Sequence, residues 1–140
     1  MKQTKLRGFS LIELLIAIVI LSIITTIAVS SYQGSVRKAR RADAKADLME
    51  LAQLLERNYT EVNRFTNASG NPVPLAYTQS PQQGLAFYNI TYAAVPTAVT
   101  YILVASPAGA QVNDVRCMNL TLDHTGTKGA SGPGGVAECW

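Results

Sequence analysis

The sequence predicts an α+β chain: a long N-terminal helix whose second half packs on a small antiparallel sheet. Three observations carry this. Residues Phe9 to Val29 form a run of 21 residues with one charge, Glu13. Beyond it, Ala44, Leu48, Leu51, Leu55, Tyr59 and Val62 recur at spacings of three and four, one face of an amphipathic helix. From Phe87 onward the pattern changes to short alternating stretches separated by turn residues, the mark of strands.

The chain has 140 residues, enough for one domain and a tail, which excludes a multi-domain enzyme or a repeat array. An apolar share of 48% against 15% charged excludes a disordered chain. Twelve basic against nine acidic residues give a formal charge of +3, which invites a nucleic-acid or anionic-membrane reading. All of the excess lies in Lys2, Lys5 and Arg7; from Phe9 onward nine basic side chains face nine acidic ones. The imbalance is therefore a topology signal. With two cysteines, one histidine, no C-x-x-C and no H-E-x-x-H, no catalytic, cofactor or metal site is expected.

Along the chain, the apolar run comes first. A helix of 21 residues is about 31 Å long and matches the ~30 Å bilayer core. The basic leader fixes its own end in the cytoplasm. Hydropathy alone leaves two readings open: a secretory signal peptide cut after Ser30, or a retained membrane segment. Glu13 weighs against the first, because a carboxylate inside an apolar span is costly and calls for a partner.

Gly8-Phe9-Ser10-Leu11-Ile12-Glu13-Leu14, after a short basic leader and before an apolar stretch, resembles the class III signal of type IV prepilins. The likeness continues to Tyr32-Gln33. It implies cleavage by prepilin peptidase between Gly8 and Phe9, and methylation of the new amino group on Phe9. It also implies that Glu13 pairs with the Phe9 ammonium of a neighbouring subunit in a growing filament; the alternatives are pairing with its own N-terminus or protonation. The sequence departs from the family where Ser30 replaces a common proline and Ser22 a common glycine. Helix melting at those points is less strongly implied, although Ser22, Thr25, Thr26, Ser30, Ser31 and Gly34 remain weak helix formers.

The expected organisation is a leader at 1–8, a transmembrane and filament-core helix at 9–30, and an amphipathic helix at 31–62. A helix–sheet loop at 63–86 and a sheet with its C-terminal region at 87–140 follow. The two helical parts read as one helix of about 80 Å. Arg37, Arg40, Arg41, Lys45, Asp47, Glu50, Glu56 and Arg57 fall on its polar face, and the cluster Arg37–Arg41 with Lys45 reads foremost as a solvated face. The loop is rich in breakers and long enough to be either functional or packed on the sheet edge, with Leu75 and Tyr77 as anchors.

Expected strands are Phe87–Ala94, with Tyr88, Ile90 and Tyr92 on one face; Thr100–Ser106, central; and Arg116–Leu122, with Met118, Leu120 and Leu122 on one face. Asp123–Gly126 reads as a turn, Thr127–Ala130 as a possible short strand, and the glycine-rich remainder as loop. His124, alone in the turn, reads as a surface residue. Asn67-Ala-Ser69, Asn89-Ile-Thr91 and Asn119-Leu-Thr121 read as chance matches to a glycosylation triplet.

The membrane reading takes the chain out of the cytoplasm, where a disulfide between Cys117 and Cys139 is favoured over two free thiols. Pilins carry a C-terminal disulfide-bounded region, and the stretch from Cys117 to Lys128 with the ending Glu138-Cys139-Trp140 resembles the PilE-type minor pilins. The resemblance implies the type IV pilin fold and a structural subunit, not an enzyme. Such a subunit sits in the inner membrane with a cytoplasmic leader, then in a cell-surface pilus. It assembles with other pilin subunits and serves pilus biogenesis, motility or adhesion. The alternatives are a DNA-binding minor pilin, using basic residues such as Arg116 and Lys128, and a type II secretion pseudopilin. The C-terminal cysteine pair argues against the pseudopilin.

Overall fold

The computed structural model describes residues 9–140, so Gly8 and the rest of the expected leader lie outside the described residues. Helix α1 runs from Leu11 to Val62. The chain divides into an N-terminal unit that ends at Val36 and a unit from Arg37 to Trp140.

In the N-terminal unit the helix continues through Ser22 and Ser30. Ser22 Oγ donates to Val19 O at 2.7 Å, Thr25 Oγ1 to Leu21 O at 2.7 Å and Thr26 Oγ1 to Ser22 O at 2.9 Å. These hydroxyls bond back to the preceding turn, where they need no water. An 18-residue window of α1 has mean hydropathy 2.7 and is wholly exposed, so the helix is long and apolar enough to cross a membrane.

In the second unit α1 buries Ala44, Leu48, Leu51 and Leu55. The predicted stripe therefore faces the core up to Tyr59, while Val62 is half-exposed and falls outside it. Asn63 ends the helix with φ 56°, and its N–H donates to Tyr59 O at 2.7 Å. Asparagine tolerates this left-handed position better than most residues.

Strands β1 (Gln79–Ser80), β2 (Tyr88–Tyr92), β3 (Ile102–Pro107), β4 (Leu120–Asp123) and β5 (Lys128–Ala130) form one antiparallel sheet in chain order. The central strand is β3, as predicted. Ile90 opposes Ala105, which opposes Leu120, and Leu103 opposes Leu122. All five are buried, so one face of the sheet meets the apolar stripe of α1.

Three expectations need correction. The 63–86 segment is not all loop, because it supplies β1. It is also tied to the core: Phe65 packs its ring 4.6 Å from Tyr59 and edge-on at 4.7 Å from Tyr101. Tyr77 Oη donates to Asp47 O at 3.1 Å, and Tyr92 Oη to Val73 O at 2.8 Å. The third predicted strand begins at Leu120 rather than Arg116. Asp114 O accepts the N–H of Met118, whose φ of 52° turns it out of the strand face. The tail is not all loop either: Gly135–Cys139 forms a short helix, α2.

Candidate assembly site and the disulfide-closed face

Glu13 lies in the first turn of α1 and is exposed, as is Phe9. Ser10 O accepts the Leu14 N–H at 3.1 Å, so the helix starts at the Ser10–Glu13 segment. Ser-x-x-Glu is also the spacing of a capping box. A carboxylate at this end is favoured by the helix dipole as well as by any cation brought to it. From Leu11 to Val29 the side chains around it are exposed and mostly apolar.

At the other end, Cys117 and Cys139 are bonded, with an S–S distance of 2.05 Å, and both are buried. The predicted pairing is thus present. Around it lies a polar network that the sequence did not reveal. Arg41, expected on a solvated face, is buried: its Nε lies 3.1 Å from Asp114 Oδ2, and its Nη1 contacts Cys117 Sγ. Gln111, fully buried in the 3-10 turn Gly109–Asn113, spreads Nε2 between Asp114 Oδ2 at 3.0 Å, Tyr88 Oη at 3.1 Å and Arg37 O at 3.3 Å. Burial raises the Tyr88 hydroxyl above its ordinary range.

The other members of the basic cluster are also engaged. Arg40 stacks its guanidinium 3.7 Å above the Phe87 ring, and Lys45 Nζ donates to Trp140 O at 3.2 Å. Burial, then Arg41 and Lys128, lowers the Lys45 ammonium below its usual range. Trp140 Nε1 donates to Gly129 O at 2.7 Å and so covers the edge of β5. Lys128 Nζ stands 5.3 Å from the Trp140 ring centroid. Arg116 is paired with Glu138 across the disulfide-bounded segment. His124 is not a plain surface residue: it is half-buried, 6.4 Å from the Phe65 ring and 6.3 Å from Tyr101, with Nδ1 buried.

A long apolar helix, a five-stranded meander on its second half and a disulfide-closed tail define the type IV pilin class. The comparisons agree. A model of the prokaryotic N-terminal methylation motif matches residues 4–29. The model described as type IV minor pilin ComP, DNA uptake sequence receptor, matches residues 30–121, more than half of the chain. The chain belongs to this family of minor type IV pilins.

A type IV pilin from Shewanella oneidensis superposes with TM-score 0.52 at 25% identity, over 74% of this chain and 97% of that one. The Neisseria meningitidis non-core minor pilin PilV shares the fold with TM-score 0.50 at 24% identity, over 70% of this chain and 89% of that one. Type II secretion system core protein G of Pectobacterium carotovorum subsp. carotovorum is 34% identical over 59 residues, which are 42% of this chain and 38% of that protein. Family and fold are those of structural pilins rather than enzymes.

Proposed function

We propose that this minor pilin is cut between Gly8 and Phe9 by prepilin peptidase, methylated on Phe9, and inserted into a filament through the first half of α1. Before assembly it sits in the inner membrane with its leader in the cytoplasm; afterwards it is part of a surface pilus with other pilin subunits. The observation that carries this is the exposed apolar length of α1, whose sole charge up to Val36 is Glu13 in the first turn. In a setting of low dielectric, a carboxylate there is stabilised by a neighbour's Phe9 ammonium and penalised without one. Packing and this pair, rather than the hydrophobic effect, then drive association of helices already in lipid. Glu13→Ala should leave cleavage intact and reduce incorporation into sheared pili, read by immunoblot. Undiminished incorporation contradicts the role of Glu13.

A second reading adds DNA capture. It is supported by the family description as a DNA uptake sequence receptor and by Lys45 and Lys128, which gather at Trp140. Cations beside an indole can meet phosphates and a base or sugar face together. A salt-sensitive shift of labelled duplex by the full chain tests it; no shift at micromolar protein rejects it. The pseudopilin reading has less support, since the match to core protein G covers 38% of that protein.

A further inference from the structure

The surface around α2 holds one exposed carboxylate among several cations. Glu138 accepts a hydrogen bond from Arg116 Nε, and the two side chains are 45% and 65% exposed. Arg116 holds the Glu138 carboxyl below its usual range, and Arg41 and Lys38 add to the effect. On the same side, Lys45 and Lys128 approach Trp140 and take part in none of the ion pairs among the described residues. Glu138 therefore sits where this surface best accommodates an anion. An exposed ion pair of this kind is weak and screened by salt, so it exchanges partners readily. A phosphate is a good replacement, because a guanidinium matches two of its oxygens as well as it matches a carboxylate.

We propose that Glu138 is an internal competitor for duplex DNA: a backbone phosphate displaces it from Arg116, while Lys45 and Lys128 meet neighbouring phosphates beside Trp140. This rests on the DNA-capture reading. Glu138 then sets a threshold: it lowers affinity for isolated anions, and a duplex overcomes it by offering several phosphates at once. The Glu138 side chain releases Arg116 without disturbing the buried Arg41–Asp114 pair or the Cys117–Cys139 bond, in neither of which it takes part.

The test is fluorescence anisotropy of the full chain in detergent with a fluorescein-labelled pool of short random duplexes. Glu138→Gln should tighten binding several-fold and steepen the slope of log Kobs against log salt by about 0.9, the value of one added phosphate contact. Adding Arg116→Ala to Glu138→Gln should return both to the wild-type values. Glu61→Gln, which frees Arg57 from a comparable exposed pair, is the control and should change neither. If Glu138→Gln binds as the wild type does, or Glu61→Gln tightens binding equally, the competitor is overturned and DNA capture stands. If no form binds, DNA capture itself fails.

Discussion

Arg41 on α1 and Asp114 after the 3-10 turn form a buried ion pair, 3.1 Å apart, with side chains 10% and 5% exposed. The contact is ionic rather than a linear hydrogen bond, since the Nε–H finds no aligned acceptor. It joins the helix to the segment that carries Cys117. Removing one partner strands the other charge in a poorly solvated place. Asp114→Ala should therefore cost about 3–5 kcal/mol, whereas the double change Arg41→Met, Asp114→Leu should recover most of it. Urea denaturation followed by the fluorescence of Trp140, the one tryptophan, measures both. Equal losses in the single and double variants would show that the pair's charge is not the point.

The disulfide closes a segment with a sequence separation of 22. Loop entropy assigns it about 3 kcal/mol, and the tail it holds has little core of its own. Cys117→Ala with Cys139→Ala should lower the urea midpoint by that amount. A midpoint unchanged from the wild type would place the tail's stability elsewhere, in the Arg41 and Trp140 contacts.

Gly132 is fixed by space rather than by backbone angle. A Cβ there would press into Arg116 O and into the backbone of Cys117, neither of which can swing away. Gly132→Ala should cost about 1–3 kcal/mol, as overpacking does. Gly34→Ala, where a Cβ meets open space, is the contrast and should be tolerated in assays of folding.

The turn between β4 and β5 depends on Asp123. Its carboxylate accepts from Thr125 Oγ1, then from the N–H groups of Thr127 and Thr125, and these bonds lower its pKa from the usual 3.8. A lowered folded value means that the stabilisation is present above about 3.8 and is lost as pH falls through that lowered value. The stability difference between wild type and Asp123→Ala should be constant near neutrality and shrink below pH 3.8. A difference that persists unchanged into strong acid would assign it to packing.

Much of this fold is legible in the residues. The stripe Ala44, Leu48, Leu51, Leu55 and the alternation Tyr88, Ile90, Tyr92 are local patterns, and local patterns set helices and half-buried strands. Glu13 stands out because nothing around it is charged. What was not legible depends on distant partners. Arg41 reads as one member of a basic run; only Asp114, far along the chain, makes it a core residue. Strand β1 is two residues long and owes its existence to the pairing of Gln79 with Asn89 and of Ser80 with Tyr88. Met118 fits a strand by pattern, yet the bonds to Asp114 O and the disulfide at Cys117 hold that stretch as a turn. Helix α2 is too short and too rich in glycine to announce itself.

The central claim is that the apolar half of α1 belongs to the mature protein and begins at Phe9. Mass spectrometry of the N-terminal peptide from assembled pili tests it most directly. The account predicts a peptide that starts at Phe9 and carries one methyl group. A mature chain that starts at Ser31, or one that retains the basic leader, would contradict it.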